Sequence, residues 1–321
     1  MWPRVKETFR NALGSVEEVG MDELVVKLRT GVTGSWQAKG RRVMAELAKA
    51  DRPVVIFMDE LPILVNRILK GGDYTLTPDR IQQADVFVSF LRAATIQHQG
   101  RIVLVVAGSI GMGPVLRQAG LSATLNTLAT FCVEPWSEGT AKDCLDALAR
   151  NYNLTWEAGA KQEVVNRLGC AIPHHVQMYF DFLLEERRRS GSTAITVGAV
   201  GTVYRTKMLS SQGHGELSHF EERLKMVLGP ALMPLAIDLL TETAKVGVLS
   251  PEAASLLSLE HLREPQVGHE ALREVLSILE HDGYLRRELN EYRFISTLLR
   301  DWWLGRFGFT YIPVDERRSA R

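Results

Sequence analysis

Two adjacent carboxylates that follow an apolar run are the strongest chemical signal in the sequence. The run Val54–Met58 is apolar throughout and ends at Asp59 and Glu60. Such a run is typical of a strand in a parallel sheet, and ligands bind such sheets beyond the carboxyl ends of the strands. We therefore predict that Asp59 holds Mg²⁺ and that Glu60 orients an attacking water. Alternatively, the two acids only cap the strand and the turn that follows.

A hydroxyl side chain follows the next apolar run. Residues 102–107 form that run, and Gly108 and Ser109 come directly after it. At a strand end, Ser109 can reach a phosphate group or the attacking water, so we predict a catalytic role for it. The alternative is that Gly108 and Ser109 simply begin a turn. Because two strand ends carry suitable side chains, together they are more informative than either alone.

The spacing of the two runs predicts the fold that positions these side chains. Residues 79–99 carry apolar side chains on one helical face, and they supply the crossover helix that parallel strands need. Because neither run alternates with polar residues, we expect helices on both faces of the sheet. Further elements are predicted at residues 5–13 (helix), 24–28 (strand), 42–50 (helix) and 131–133 (a third strand). The pattern is α/β up to about Pro135.

The remainder of the sequence is mostly helical. Helices are predicted at residues 142–152, 157–168, 174–188, 231–245, 251–257, 271–281 and 298–307. Two short strands around Asn290 follow the helix at 271–281, and this order predicts a winged helix-turn-helix. A segment rich in glycine and serine at 210–215 indicates a domain boundary before this winged helix-turn-helix.

Composition limits the class of protein. The 321 residues suit two or three domains, and 38 basic side chains balance 38 acidic ones, so no net field attracts nucleic acid or a membrane. The three cysteines have no CxxC spacing, which argues against disulfides and a zinc site. No signal peptide or uninterrupted membrane span is evident. We expect a cytoplasmic protein that does not bind membranes.

The order of the motifs resembles that of archaeal-type P-loop ATPases of the AAA+/STAND group. The motifs are DELPIL at 59–64, AGSIG at 107–111, FCVEPWS at 131–137 and LGCAIPHH at 168–175. The resemblance extends from about Trp36 onward. It implies ATP and Mg²⁺ as cofactors, with Asp59 and Glu60 as the Walker B acids and Ser109 as sensor 1.

The resemblance also implies a domain order. We expect an AAA+-like ATPase core at 1–136, a helical lid at 137–205 and a winged-helix domain at 206–321. In the lid, Pro173 and His174 would lie near the nucleotide, in the sensor 2 region. Alternatively, one of His174 and His175 packs or caps while the other is solvated. Arg117 would be an arginine finger in an oligomer, or simply a solvent-facing side chain.

One motif of the family does not occur in the sequence, namely the phosphate-binding loop GxxxxGK[ST]. The segment from Gly31 to Gly40 does not replace it, because Lys39 precedes a glycine and no apolar strand leads into the segment. The fold class that follows is α/β, an incomplete P-loop NTPase sheet followed by lid and winged helix. We expect the missing loop to lie upstream of Met1, ATP binding to be poor, and Val55 and Phe57 to be incompletely covered.

Two functions therefore remain open at the level of sequence. One is an ATP-dependent STAND-type switch, for which ATP hydrolysis and oligomer formation are left undecided. The other is a non-catalytic scaffold or winged-helix regulator. The predicted recognition helix has three glutamates and one arginine, which disfavours DNA reading, whereas the basic hairpin residues Arg286, Arg287 and Arg293 leave backbone contact open. We expect a protein partner.

Overall fold

The computed structural model describes residues 35–262 and 264–319. The helix expected at 5–13 and the strand expected at 24–28 lie outside the described residues. The chain divides into two compact units, Met1–Ala129 and Thr130–Arg321. Each unit is described by itself.

The first unit contains a short parallel sheet and its connecting helices. Its elements are α1 (Trp36–Leu47), β1 (Val54–Met58), α2 (Leu61–Lys70), α3 (Pro78–Gln97), β2 (Ile102–Val106), α4 (Met112–Gln118) and a 3₁₀ turn (Ser122–Leu125). The two strands are parallel, with Val54 opposite Ile102 and Met58 opposite Val106. The side chain of Thr77 accepts a hydrogen bond from the Arg80 N–H and caps α3, and Pro78 follows at a position that favours proline. The predicted crossover helix is thus confirmed.

Only one face of this sheet is covered by the described residues of the first unit. Leu61 of α2 and Val88 of α3 line a small cavity together with Leu104 of β2, so these helices pack on the face that carries Leu104. The opposite face carries exposed apolar side chains, namely Val55 (48% exposed), Phe57 (77%), Val103 (45%) and Val105 (38%). Of the two faces on which we expected helices, the described residues of the first unit place them on the face that carries Leu104. The incomplete cover of Val55 and Phe57 is confirmed.

The third predicted strand, at residues 131–133, does not form. These residues lie in no strand, and Phe131 and Val133 are 88% and 84% exposed. A strand needs a partner for its backbone N–H and C=O groups, and no strand of the described ranges pairs with this segment. The prediction was wrong because it rested on apolar, β-prone residue types alone.

The second unit is mainly helical, with short paired strands. Its elements are α5 (Glu138–Asn151), β3 (Thr155–Trp156), α6 (Ala160–Leu168), α7 (Pro173–Ser190), β4 (Ala194–Ile195), α8 (Val197–Val203), a π-helical turn (Tyr204–Met208), α9 (Ser211–Val246), α10 (Pro251–His261), α11 (Pro265–His281), β5 (Leu285–Glu288), β6 (Glu291–Phe294), α12 (Thr297–Phe307) and α13 (Val314–Ser319). Buried aromatic residues tie these helices together. Trp303 is fully buried, and its indole N–H donates to the Thr241 hydroxyl at 3.1 Å.

The long helix α9 forms the core of this unit. It bends at Gly229, whose φ of 67° lies in the left-handed region, directly before Pro230. The segment 210–215, where we expected a domain boundary, instead contains the first turn of α9. By length and composition this helix could cross a membrane, but 56% of its apolar window is buried within the protein, as in an ordinary core helix.

The C-terminal elements include an antiparallel hairpin, which β5 and β6 form. Leu249, between α9 and α10, extends it through two backbone hydrogen bonds with Tyr292, of 2.9 and 3.1 Å. The hairpin follows α11 and precedes α12, which is the element order expected from the sequence. Leu289 at its tip is 96% exposed.

Candidate active site

The predicted catalytic residues of the first unit meet at the carboxyl ends of the two strands. Backbone pairing continues past the strands, because the Ala107 N–H donates to the Met58 carbonyl at 3.0 Å and the Leu61 N–H donates to the Ala107 carbonyl at 3.3 Å. These bonds fix the residues after β1 beside those after β2. The sequence separation of 49 residues between Glu60 and Ser109 is closed in this way.

Glu60 and Ser109 are directly hydrogen-bonded. The Glu60 carboxylate oxygen Oε2 accepts from the Ser109 backbone N–H at 3.0 Å and from its hydroxyl at 2.9 Å. Asp59 turns back on the chain, and its Oδ1 accepts from the Glu60 N–H at 2.9 Å. Glu60 itself has a φ of 54°, a left-handed conformation that residues with a side chain adopt rarely. The two acids are exposed, so solvent and ligands can reach them.

Two further residues of this edge shape the site, although the sequence predicted no role for Pro62 and at most a turn at Gly108. Gly108 approaches Pro62 so closely that a Cβ atom added to Gly108 would lie 2.5 Å from Cδ of the proline ring. Both residues stood within the motifs AGSIG and DELPIL. A glycine directly before Ser109 and a proline two residues after Glu60 were the available signals.

The edge has the oxygen donors that Mg²⁺ prefers. Asp59 and Glu60 offer carboxylate oxygens, and Ser109 offers a hydroxyl. In the described ranges no group of three or more histidine, cysteine or acidic residues could hold a metal ion. Mg²⁺ typically takes only one or two carboxylates from the protein and completes its shell with water and substrate phosphates. The donor set therefore fits a magnesium ion that arrives with a phosphate ligand.

The same edge does not fit a phosphate group by itself. Helix α2 begins beside the Glu60 carboxylate, and its second residue is Pro62, which has no N–H to donate. The Leu61 N–H is already bonded to Ala107. Neither of the first two residues of α2 can therefore donate an N–H to a phosphate, as residues at other helix N-termini do. A nucleotide would need an anchor from elsewhere.

The predicted lid residues lie in the second unit, at the start of α7. Pro173 is the first residue of this helix. His174 is exposed, and its Nε2 lies 3.2 Å from Oε2 of Glu216 on α9. His175 is 2% exposed, and burial, together with the positive charges near it, lowers its pKa to about 4. One histidine is thus packed and the other solvated, which is the alternative stated above. Arg117 is exposed on α4 of the first unit.

Comparison with solved structures gives the fold. The Walker-type ATPase PABY2304 of Pyrococcus abyssi is similar to this chain with a TM-score of 0.57 and 15% sequence identity, over 93% of this chain and 75% of that one. The chain thus has the fold of a P-loop ATPase. At this identity the similarity concerns the fold alone.

Two structures of the Thermotoga maritima RuvB protein are more distant. The Holliday junction branch migration motor matches with a TM-score of 0.37 and 14% identity, over 92% of both chains. A mutant form of RuvB matches with a TM-score of 0.35 and 15% identity, over 79% of this chain and 71% of that one. These scores are too low to support an argument. No protein-family model and no curated protein matches the sequence.

Proposed function

We propose that this protein is a regulatory switch of the STAND/AAA+ type, built on an ATPase fold, in which bound nucleotide controls how the C-terminal region is presented to a protein partner. Asp59 binds the magnesium ion of the nucleotide, Glu60 orients the attacking water, and Ser109 contacts the reacting phosphate. Pro173 and His174 belong to the lid. The bound magnesium nucleotide supplies the electrophilic phosphate, and the residues supply its orientation.

One observation carries this proposal: Glu60 and Ser109, 49 residues apart, share two hydrogen bonds at the carboxyl edge of a parallel sheet. This is the edge at which open α/β sheets bind their ligands. An acidic pair that merely capped its own strand would not need a hydroxyl partner on the neighbouring strand. The ATPase fold supports the same interpretation.

The proposal requires a phosphate anchor that the sequence does not encode as GxxxxGK[ST]. The 321-residue chain should therefore bind ATP only weakly. Calorimetric titration of the chain with MgATP tests this. Weak binding that needs Mg²⁺ and is lost in the Asp59→Asn variant supports the switch and assigns the magnesium ligand. If the chain binds no MgATP, or if Asp59→Asn binds it equally well, the proposal fails.

A second candidate is a non-catalytic scaffold that acts through its C-terminal elements. It is favoured by the way Glu60 occupies both donors of Ser109, since these donors are then used within the protein and not for a ligand. This candidate predicts that Asp59→Ala combined with Glu60→Ala leaves partner binding unchanged. Loss of partner binding in that double variant, with folding intact, would instead support the nucleotide switch.

The C-terminal region, with α10, α11 and the β5–β6 hairpin, is proposed as a winged helix that binds protein rather than DNA. The arginines Arg286 and Arg293 of the hairpin are paired internally. Arg286 Nε lies 2.7 Å from Oε1 of Glu288, and Arg293 Nε lies 3.1 Å from Oε2 of the same carboxylate. Arg293 also lies 3.4 Å from Glu291, so three arginines and two glutamates leave the hairpin a net charge of only +1 and little attraction to a phosphate backbone.

A further inference from the structure

The contact between Gly108 and Pro62 leaves no room for a side chain. A Cβ atom at position 108 would lie 2.5 Å from Cδ and 2.7 Å from Cγ of Pro62, whereas carbon atoms in contact are about 3.5–4.0 Å apart. The φ angle of Gly108 lies outside the left-handed range. The backbone conformation therefore does not demand glycine at this position, and the proximity of the proline ring does.

Pro62 cannot move away without moving the site. It is buried, it is the second residue of α2, and its ring has no rotatable side-chain bond that could relieve the contact. Glu60 is the N-cap of the same helix. A displacement of α2 away from Gly108 would consequently carry Glu60 away from Ser109, the residue that follows Gly108.

From this geometry we infer that Gly108 and Pro62 are positioning residues that set the hydrogen bonds between Glu60 and Ser109. The close approach holds the end of β2 against the start of α2, and the carboxylate then reaches both donors of Ser109. The value of this positioning for catalysis rests on the proposed function. The positioning itself does not, because it concerns only contacts within the first unit.

The experiment uses the full chain, labelled with ¹⁵N at serine. In the wild type, the Ser109 amide proton should be protected from exchange by its bond to Glu60, and loss of that protection in Glu60→Ala assigns it to the carboxylate. Gly108→Ala should accelerate exchange of the Ser109 amide proton by about tenfold or more, because the bond that protects it is broken. Gly113→Ala is the matched control, since a Cβ atom there meets no atom within 4 Å.

A second substitution tests whether the proline ring causes the effect of Gly108→Ala. Pro62→Ala removes the ring atoms that a Cβ at position 108 would contact, so Gly108→Ala combined with Pro62→Ala should restore slow exchange of the Ser109 amide proton. This double variant also serves if Gly108→Ala alone fails to fold. The inference is overturned if Gly108→Ala behaves like the wild type, or if the double variant is unfolded or keeps the fast exchange.

These measurements need no nucleotide. A chain that never binds ATP would refute the proposed function and leave the positioning result intact. Wild-type protection of the Ser109 amide proton in Gly108→Ala would refute the positioning and leave the function open. The two failures are therefore distinguishable.

Discussion

The Glu60 carboxylate accepts hydrogen bonds from both the backbone N–H and the hydroxyl of Ser109, at 3.0 and 2.9 Å. Both donors of Ser109 are thereby engaged with a single oxygen atom. A phosphate group that is to reach Ser109 must compete with this carboxylate. Glu60 would then be released towards solvent, where it could orient a water molecule.

Removal of the Ser109 hydroxyl should cost little stability. Ser109→Ala deletes one of the two bonds to Glu60 and leaves the backbone bond, and the pair is exposed, so we expect a loss of about 0.5–1 kcal/mol in the free energy of unfolding of the first unit. Ser109→Thr keeps a hydroxyl and is the matched control. Urea unfolding measures both. A loss well above this range in Ser109→Ala would mean that the hydroxyl has a larger structural role.

The exposed sheet face provides a second prediction. Phe57 is 77% exposed, so Phe57→Ser should change the free energy of unfolding by less than about 0.5 kcal/mol and should reduce binding of a hydrophobic dye. Leu69 on α2 is fully buried, and Leu69→Ala should cost about 2–5 kcal/mol. Urea unfolding and dye fluorescence test the contrast. A large destabilisation by Phe57→Ser would show that this face is covered in solution.

The sequence predicted the parts of the site that depend on strand ends. Apolar runs followed by polar residues specify where a buried strand stops, and parallel pairing then brings Glu60 and Ser109 to one edge. The sequence did not reveal that the two side chains bond to each other, nor that Glu60 adopts a left-handed backbone. Both depend on the exact register of the two strands and on the packing of Pro62 against Gly108, which are tertiary contacts.

The prediction of a third strand was wrong for a related reason. Residues 131–133 have suitable residue types, but strand formation depends on a partner, which local sequence does not specify. The glycines of segment 210–215 suggested a break, whereas the apolar residues further along α9 form a core that holds the helix together through its first turns. In both places tertiary context decided against local propensity.

Stability should fall in mildly acidic solution because of His175. Its pKa is lowered from 6.5 to about 4, first by burial and then by the positive charges of His174, His219 and Arg223. Between about pH 6.5 and pH 4, His175 is protonated in the unfolded chain and neutral in the folded chain. Stability is therefore lost as the pH falls through this window, by at most about 3 kcal/mol.

Variants of the two neighbouring histidines test this assignment. His175→Leu should remove most of the pH dependence between about pH 6.5 and 4, while His174→Gln, at an exposed position, should keep it. The pKa of His219 is also lowered by burial, so a smaller slope of the same sign should remain. Urea unfolding at a series of pH values measures these slopes. An unchanged slope in His175→Leu would contradict the assignment.

The internal pairing of the hairpin arginines predicts a low affinity for duplex DNA. Residues 285–294 carry three arginines and two glutamates, and Glu288 lies within ion-pair distance of both Arg286 and Arg293. The wild-type chain should show no salt-dependent affinity for duplex DNA in fluorescence anisotropy.

Glu288→Gln combined with Glu291→Gln frees these guanidinium groups and should raise affinity for DNA at low salt on the order of tenfold. Glu46→Gln combined with Asp51→Asn adds the same charge in the first unit and should not. If the wild type already binds with a steep salt dependence, the preference for a protein partner is wrong.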